Sequence, residues 1–568
     1  MERRACRFVL VLAVVLAAGC SVLFGDDQYR NDGGADVRDA GPGADAGPPS
    51  DGGDDDPDAG PTGCTPGECD GGEYCRASDD TCVPCDADGD GFVSENAACD
   101  DLAGSDPRDC DDDEATVYPE APAVCGDGFF NACPGTGLEV PETIATALSA
   151  AEVGRLEPRQ LAETTTGYFD SGHLAVLEGS DGSRRLVATW ARSDDDLNNV
   201  QIALLDGATF ETLEEMDLSP FADGFSLAAV RTLDDGTVGG WAFRYGDTTG
   251  EFHYFDIEPD AATLSAAVVT RVDVSGSCLF SGVGLALLNY PDHYLVMNGE
   301  GAVGSYNRWN EDEPHFFVTP EGTVGCSGNG FRTNTYLSEG GGRFFAERDD
   351  IESNPTFTMW SSSDDSADSF SASVPLSFDG PSSLDYLGAD PGTSLERLVF
   401  LGPSFPEPLV ALPIDCVSES LGGNCMRGGS GTAYEPSRAD EVRSPMVRRL
   451  TARTAGLLWV EDRSTGATPP NTLVQELVMH VADRDGVIDY ATSGDPGPGL
   501  PVLRYELDES ASDYRIVKTM DSAIVRDAAT GDLTVYGLGV YSQITVDSFT
   551  YPEASEVRVG GVRVCVSE

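Results

Sequence analysis

The strongest constraint on the fold is a series of short β-prone runs that fills the chain from residue 141 to residue 568. Runs such as 174–177, 200–205 and 473–480 are separated by Gly, Asp, Asn and Pro at spacings of roughly ten residues, which is typical of short strands joined by turns. No helical period accompanies them. The pattern therefore predicts an all-β region.

The length of this region favours radial repetition of small sheets, because one sandwich of that size would be oversized. At four short strands and roughly 45 to 65 residues per blade, six or seven blades fit. We therefore predict a six- or seven-bladed β-propeller-like domain over residues 141–568. The alternative is two consecutive β-sandwich or jelly-roll domains with a hinge at 422–437.

The N-terminus carries an export signal. Arg3, Arg4 and Arg7 precede an uncharged apolar run over residues 8–18, which is too short to span a bilayer. The run ends in LAAGC at 16–20, which resembles the lipobox of bacterial lipoproteins. The resemblance implies cleavage after residue 19 and a covalent lipid on Cys20. The alternative is ordinary secretory cleavage with Cys20 as a disulfide partner.

The resemblance also implies a cellular location. Ser21 follows the cysteine, and under the enterobacterial sorting pattern this residue favours the outer membrane over the inner one. Several acyl chains at about 0.8 kcal/mol per buried methylene would make attachment effectively permanent. We expect a cell-envelope lipoprotein, most simply at the outer membrane, with the membrane as its first partner.

The net charge of the chain restricts which classes of partner, other than the membrane, it can bind. Lysine and arginine number 34 against 98 acidic residues, giving a formal net charge of -64. Such a charge excludes nucleic acid and anionic headgroups as natural partners and favours cations.

Residues 20–63 are rich in Asp, Gly, Ala and Pro, with almost nothing to bury. They predict a disordered, self-repelling stalk, with a low-complexity insertion of no function as the alternative.

Fourteen cysteines remain after the signal peptide and Cys20, and an exported chain allows them to form disulfides. Nine lie in the first group: Cys64, Cys69, Cys75, Cys82, Cys85, Cys99, Cys110, Cys125 and Cys133. Five lie in the second: Cys278, Cys326, Cys416, Cys425 and Cys565. Two odd groups predict at least one bridge between them, unless two thiols stay free. Our candidate is Cys133 with Cys565.

Residues 64–85 form a Cys-rich mini-module with too few apolar residues for a core, so disulfides would have to hold it. Zinc is the rival interpretation, because Cys82 and Cys85 have ligand spacing. No matching second pair follows, and no histidine precedes His173. Disulfides are therefore the prediction.

An acidic module follows at residues 86–140. Asp86, Asp88 and Asp90 alternate along the sequence DADGDGF, which gathers oxygen ligands around a glycine turn in the manner of Ca²⁺ loops. A plain EF-hand is not predicted, because Ala97 occupies the position of its bidentate Glu. The second acidic cluster adds Asp109, Asp111, Asp112 and Asp113.

These two clusters carry a family resemblance over residues 86–133. The order DxDGDGF, AC, then DCDDxxATxYPxAxxxC resembles the MopE-type metal-binding repeat of secreted bacterial proteins. Its last stretch departs from that pattern and keeps Asp127 as its only carboxylate. The resemblance implies a metal site. Because the ligands are carboxylates without imidazole or thiolate, we predict Ca²⁺ and not copper.

The density of charge implies that metal and folding are coupled. Between Cys64 and Cys133 there are nineteen acidic side chains and two arginines. Self-repulsion would oppose compaction unless cations neutralised it. The alternative is a solvated acidic tether with accidental spacing.

Catalytic motifs are absent from the sequence. It contains no nucleophile elbow, Walker loop, dinucleotide fingerprint or His-Glu-x-x-His, and the five histidines lie singly. The preferred hypothesis is a non-enzymatic surface lipoprotein whose β-rich domain binds a protein or glycan. The competing hypothesis is an extracellular polysaccharide hydrolase or lyase with carboxylates in the central channel.

Overall fold

The structure is a computed structural model. It describes residues 69, 72–76, 81–94, 99, 108–127, 131–133, 138, 140–164, 167–194, 198–221, 225–233, 235–245, 250–261, 263–264, 268–272, 293–298, 301–306, 315–318, 324–327, 343–349, 356–362, 371–375, 383–387, 396–402, 408–416, 425–427, 431–439, 441–465, 472–508, 513–545 and 554–566. The predicted signal peptide and stalk, together with Cys20, Cys64 and Cys278, lie outside these residues.

The N-terminal part contains short elements. The antiparallel hairpin joins β1 (Glu73–Arg76) to β2 (Thr81–Pro84), and a parallel pair joins β3 (Val93–Ser94) to β4 (Arg108–Asp109). One helix follows, α1 (Glu142–Leu148), and then the long strand β5 (Ala150–Thr164). α1 buries Ile144 and Leu148 against the large domain. In the part of the chain that the structure describes, no helix is long and apolar enough to cross a membrane.

Antiparallel sheets then succeed one another along the chain, and neighbouring strands in each are joined in sequence order. The first sheet contains β6 (Gly167–Glu178), β7 (Arg184–Asp194), β8 (Asn198–Asp206) and β9 (Thr212–Phe221). The second contains β10 (Phe225–Thr232), β11 (Val238–Tyr245), β12 (Gly250–Ile257) and β13 (Val268–Val272). The third contains β14 (His293–Asn298), β15 (Gly301–Tyr306), β16 (His315–Val318) and β17 (Val324–Ser327).

The later sheets repeat this up-and-down order. The fourth contains β18 (Arg343–Asp349), β19 (Thr356–Ser362) and β20 (Ser371–Pro375). The fifth contains β21 (Ser383–Leu387), β22 (Glu396–Gly402), β23 (Leu409–Cys416), β24 (Cys425–Arg427) and β25 (Thr432–Tyr434). The sixth contains β26 (Glu441–Arg449), β27 (Thr454–Thr465), β28 (Thr472–Asp483) and β29 (Leu500–Asp508).

The last sheet joins the two ends of the region. It contains β30 (Asp513–Arg526), β31 (Leu533–Thr545) and β32 (Ala554–Val566), and β5 pairs antiparallel with β32 as its fourth strand. The first strands of neighbouring sheets also contact one another: β26 touches β30, β30 touches β6, and β6 touches β10. The arrangement is propeller-like, and β5 closes it.

Alternation along the strands explains why the sheets stack face to face. On β27, Leu458 and Val460 face the core shared with the last sheet, whereas Leu457 and Trp459 face the core shared with the fifth. Successive side chains of a strand point to opposite faces, so a central sheet must be apolar on both. The same holds for β7, where Leu186 and Val187 belong to different cores.

The prediction of an all-β, propeller-like domain is therefore confirmed at that level. The alternative of two β-sandwich domains is wrong, because small sheets follow one another along the chain instead of forming two large pairs. Its proposed hinge at 422–437 contains a strand: β25 pairs with Leu409–Ala411 of β23.

Disulfides bind the N-terminal part together. The bridges are Cys69–Cys82, Cys85–Cys99, Cys110–Cys133 and Cys125–Cys565, and Cys75 is also disulfide-bonded. A bridge between the two cysteine groups exists, as predicted, but the predicted partner is wrong: Cys125 and not Cys133 bonds Cys565. Zinc at Cys82 and Cys85 is excluded, because both sulfurs are in disulfides. Of the remaining cysteines, Cys326 lies in β17, and Cys416 is opposite Cys425.

Candidate metal centre

The first acidic loop is shaped by its own carboxylates and two glycines. The Oδ1 of Asp86 accepts a hydrogen bond from the Gly89 N–H at 2.8 Å, and the Oδ1 of Asp90 accepts one from the Phe92 N–H at 2.7 Å. Gly89 and Gly91 have φ of 82° and 98°, values that strongly favour glycine. The alternating Asp–Gly sequence is therefore what lets the loop curl inward.

The second acidic cluster lies beside the first because the backbone brings it there. β3 follows the first loop and pairs in parallel with β4, which places Ser94 opposite Asp109. The Oδ1 of Asp112 accepts a hydrogen bond from the Ala87 N–H at 3.0 Å. The two acidic segments, separate in sequence, thus form one site.

Five of the seven predicted metal ligands converge. Carboxylate oxygens of Asp86, Asp88 and Asp90 lie within 4.8 Å of one another, and so do those of Asp88, Asp109 and Asp112. Asp88 belongs to both groups and joins them. Asp111 and Asp113 are exposed and belong to neither.

One oxygen atom of each of four converging carboxylates receives no hydrogen bond. The Oδ2 atoms of Asp88, Asp90, Asp109 and Asp112 are buried and have no hydrogen-bond partner. Asp109 is 1% exposed and Asp112 is 6% exposed. A buried carboxylate oxygen without a donor is costly, so the arrangement calls for a positive charge among the four atoms.

The electrostatics agree with the geometry. Burial, with the carboxylates of Asp90 and Asp88 adding to the effect, raises the pKa of Asp109 to about 6. Burial also raises the pKa of Asp88 and of Asp112, with neighbouring carboxylates again adding to the rise. Like charges at close range disfavour ionisation, and a bound cation would reverse that effect.

An aromatic pair links the segments that carry the two acidic clusters. The rings of Phe92 and Tyr118 stack at 5.1 Å with an interplanar angle of 9°. Tyr118 is held in place through the backbone, where the Cys133 N–H donates to its carbonyl oxygen at 3.2 Å. The aromatic residues of both sequence motifs therefore join the two halves of the acidic module.

The acidic module is fastened to the closing sheet at three points. Cys125 is bonded to Cys565 of β32, and the Asn131 N–H donates to Glu152 Oε1 of β5 at 2.7 Å. Gly154 of β5 lies so close to Ala123 that a Cβ there would be 2.0 Å from the Ala123 nitrogen. The C-terminal part of the acidic module, residues 123–131, is therefore attached to the sheet that closes the propeller-like domain.

Two clusters of charged residues in the large domain escaped the sequence analysis. In the first, Asp521 of β30 pairs with Arg448 of β26 at 2.9 Å and lies 3.7 Å from Nδ1 of His173 on β6. These three strands are the first strands of three neighbouring sheets. The residues are so far apart in sequence that no local signal links them.

The second cluster is buried in the sixth sheet. Glu461 and Glu476 are opposite one another on β27 and β28 and are 0% and 3% exposed. Arg438 donates through Nε to Glu461 at 2.6 Å, and Arg463 pairs with Glu476. In the sequence, the signal for this cluster was the presence of acidic residues within otherwise apolar strands. Acidic residues are so abundant in this chain that these two did not stand out.

Comparisons with known proteins identify no family. No family model matches the chain, and no curated protein matches it. The phage phi92 endosialidase aligns at a TM-score of 0.39 and 8% identity, covering 72% of this chain and 69% of that one. An α-L-arabinanase of Penicillium chrysogenum gives 0.33 and 12%, covering 58% and 99%.

A DUF4623 family protein from Bacteroides eggerthii gives a TM-score of 0.31 and 11% identity, covering 73% of this chain and 99% of that one. TM-scores this low assign neither a fold nor an activity.

Proposed function

We propose that this chain is a lipid-anchored protein of the cell envelope in which a Ca²⁺-binding acidic module stabilises a propeller-like binding domain. The observation that carries the metal part is the set of four buried Oδ2 atoms without donors, on Asp88, Asp90, Asp109 and Asp112. The disulfides fit an oxidising compartment outside the cytoplasm.

Oxygen donors favour a hard cation over copper or zinc. Among hard cations the number of carboxylates favours calcium. Five carboxylates converge in two groups that share Asp88. Ca²⁺ accepts six to eight oxygen ligands in flexible geometry, whereas Mg²⁺ keeps several of its waters and is usually bound through one or two carboxylates.

The proposed role of the ion is structural. It would neutralise the carboxylates that otherwise repel one another and would hold the two acidic segments together. The acidic module contacts β5 and β32, the two strands that close the domain. Calcium binding would therefore stabilise the closing sheet as well as the acidic module.

Calcium titration of the full chain, purified in detergent and stripped with EDTA, tests the metal part. We expect calcium to raise the melting temperature, with magnesium weaker. The double variant Asp88→Asn with Asp109→Asn should lose the calcium response. In EDTA this double variant should have a melting temperature no lower than that of the parent chain, because the substitutions also remove repulsion between carboxylates.

The matched control is Asp111→Asn with Asp113→Asn, which removes the same charge from exposed positions and should keep the response. If both double variants respond to calcium as the parent chain does, the site is not where we place it. If neither the parent chain nor the control responds, the acidic module binds no calcium.

The lipid anchor rests on the LAAGC sequence and Cys20. Cys20→Ser should abolish incorporation of labelled palmitate and release the protein from the membrane fraction. Cys75→Ser removes a disulfide cysteine instead and should leave incorporation intact. Palmitate incorporation by Cys20→Ser would rule the anchor out.

The finer architecture is also a proposal. We assign seven blades, because seven sheets of three to five strands follow one another through the described residues 150–566. Closure by β5 and β32 supports a ring. In such a ring the loops at one end would be available to a protein or glycan partner, as in other propellers.

A second candidate function is favoured by one observation. Asp521, Arg448 and His173 meet on the first strands of three neighbouring sheets, which would face the central channel of a propeller. A carboxylate that orients an imidazole is a suitable acid–base pair for a hydrolase or lyase. Polysaccharide cleavage that His173→Gln abolishes and His253→Gln retains would favour this candidate. Absence of cleavage across neutral and acidic polysaccharides would eliminate it.

A further inference from the structure

The outer edge of the fifth sheet is made by two short strands instead of one long strand. β23 pairs with β22 on one side, and on the other side it pairs with both β24 and β25. β24 lies along the last three residues of β23, and β25 lies along the first three. Leu412 and Pro413 lie between these two contacts, and proline has no N–H to donate to a neighbouring strand. The edge strand is therefore split at Pro413.

The two halves of this edge are attached in different ways. Tyr434 of β25 is 0% exposed; its hydroxyl donates to the Gly486 carbonyl at 2.6 Å and accepts from the Ile488 N–H at 2.9 Å. β25 is thus anchored to the turn that follows β28. β24 pairs with β23 over three residues and contacts β20 of the fourth sheet. So short a strand contact is weak without further support, so β24 needs a second attachment.

Cys416 and Cys425 are directly opposite one another in this short contact. Opposite residues of an antiparallel pair have Cα atoms roughly 4.5 or 5.5 Å apart, depending on whether they exchange hydrogen bonds. Both separations fall within the range of roughly 4.4 to 6.8 Å that a disulfide spans. The strand register therefore brings the two cysteines to a separation at which a disulfide forms without movement of the backbone.

The cysteine count agrees with a bridge at this position. Cys565 of the second cysteine group is bonded to Cys125 of the first. An even number of cysteines is then left in the second group: Cys278, Cys326, Cys416 and Cys425. Cys326 lies in β17 of the third sheet, whereas Cys416 and Cys425 share the fifth. A bridge within the fifth sheet leaves Cys278 and Cys326 as the other pair.

We infer that Cys416 and Cys425 form a disulfide that holds β24 on the edge of the fifth sheet. The inference rests on the location outside the cytoplasm proposed above, because a disulfide needs an oxidant. Two S–H bonds break and one S–S bond forms, and the two protons and two electrons pass to the disulfide of a thiol oxidoreductase, which becomes a dithiol. The bridge closes residues 417–424 into a short loop and so fixes one end of β24 in register.

Peptide mapping tests the pairing. The full chain is purified in detergent from cells whose free thiols are alkylated at lysis, and it is digested without reductant. Trypsin with glutamyl endopeptidase cuts after Glu419, so that Cys416 and Cys425 fall in separate peptides, residues 398–419 and 420–427. We expect these peptides to be linked, to separate on reduction, and to carry no alkyl label before reduction.

Single variants provide the matched controls for the labelling. In Cys416→Ser the thiol of Cys425 should become labelled, and in Cys425→Ser the thiol of Cys416 should become labelled, because each loses its partner. Cys69→Ser opens a different bridge and should leave both positions unlabelled.

Limited trypsin digestion tests the role of the bridge. Arg427 is the last residue of β24, so cleavage after it reports how often β24 leaves the sheet. In Cys416→Ser with Cys425→Ser this cleavage should be about tenfold faster or more, because the bridge no longer restricts the opened segment. Cleavage after Arg453, at an exposed turn of the same chain, should keep its rate.

Free thiols at both positions, or a link from either one to Cys326, would overturn the inference. The Cys125–Cys565 bridge, measured in the same digest, separates this failure from a failure of the proposed location. Free thiols beside an intact Cys125–Cys565 bridge overturn the pairing alone, whereas reduction of both bridges overturns the oxidising location as well. An unchanged rate of cleavage after Arg427 in the double variant would overturn the role assigned to the bridge.

Discussion

Cys125 of the acidic module is disulfide-bonded to Cys565 of β32, 440 positions later in the chain, with their Cα atoms 5.2 Å apart. Glu152 of β5 is directly opposite Cys565 and accepts the hydrogen bond from the Asn131 N–H. The acidic module thus contacts both strands of the closing pair. The β5–β32 pairing, which we call the seam, joins the start of the large domain to its end, and β6 also contacts β30 and β32. The acidic module is attached to both strands of the seam.

Removing this disulfide should cost much of the stability of the domain. Cross-linking so long a loop restricts the unfolded chain, and the entropy model gives about 6 kcal/mol. We expect Cys125→Ser with Cys565→Ser to lower the urea midpoint strongly. The control is Cys69→Ser with Cys82→Ser, which opens a bridge of 13 positions outside the large domain. An unchanged midpoint in the first pair would show that the seam is stable by itself.

Stability without metal should depend on pH through Asp109. Its pKa is raised to about 6 from the ordinary 3.8, so the folded chain binds more protons than the unfolded chain between these values. The contribution is present below pH 3.8 and is lost as pH rises through about 6. In EDTA we therefore expect Asp109 to destabilise the acidic module as pH rises through this window, and the calcium response to grow with it.

The measurement is the melting temperature of the parent chain minus that of Asp109→Asn, in EDTA, from pH 4 to pH 7. The difference should become more negative with pH. A difference that stays constant would contradict the shift.

Asp521 should have the opposite pH dependence. Burial alone would raise its pKa, but the nearby His173 side chain, the charge of Arg448 and the hydrogen bond from the Leu174 N–H outweigh burial and lower the pKa to about 2. The resulting stability, about 2 kcal/mol, is present above pH 3.8 and is lost as pH falls towards 2. Asp521→Asn should remove this dependence.

Arg448→Gln should destabilise the domain at neutral pH, because it leaves a largely buried carboxylate with one partner fewer. Arg453→Gln, at an exposed turn, should not. A double-mutant cycle between Asp521 and Arg448 measures the coupling. A value near zero would mean that this pair does not hold the inner strands together.

The sequence predicted that two acidic segments converge, but it did not predict which of their carboxylates do so. The alternation of Asp and Gly over residues 86–91 predicted the first loop, because the conformation of a short turn is determined by the residues within it. The exposure of Asp111 and the burial of Asp112 could not be read in the same way. They depend on the pairing of β3 with β4 and on the Ala87 N–H, which lies 25 positions from Asp112.

The fold class could be predicted from the sequence for a similar reason. β-prone runs and turn residues are local signals, whereas closure is not: β5 pairs with β32 across almost the whole domain. The long disulfide shows the same limit. The odd cysteine counts predicted a bridge between the two groups unless two thiols stayed free, but choosing Cys125 over Cys133 needed the coordinates of both.

His480 should remain neutral between pH 8 and pH 4. Burial, with the charge of Arg438 adding to the effect, lowers its pKa to about 3. Because the unfolded chain would take up this proton below about pH 6.5, the residue makes stability fall as pH drops from 6.5 towards 3. Ring resonances of His480 should stay constant between pH 8 and pH 4 by NMR, while those of the more exposed His173 serve as the comparison. A midpoint near 6.5 for His480 would contradict its burial beside Trp459.

The contact between Gly154 and Ala123 should be sensitive to a single methyl group. A Cβ on Gly154 would lie 2.0 Å from the backbone nitrogen of Ala123, and backbone cannot move aside as a side chain can. We expect Gly154→Ala to separate the acidic module from β5 at a cost of about 1 to 3 kcal/mol. Limited proteolysis should then cleave the acidic module sooner, and the melting temperature should fall.

The matched control is Gly456→Ala, where the added Cβ would be 3.1 Å from the Sδ of Met479. That side chain is flexible, so we expect a smaller loss. Combining Gly154→Ala with Cys125→Ser should cost less than the sum of the two, because both remove the same attachment. Strict additivity would mean that the disulfide and the Gly154 contact act on separate parts of the fold, and the acidic module would then not reinforce the seam as one unit.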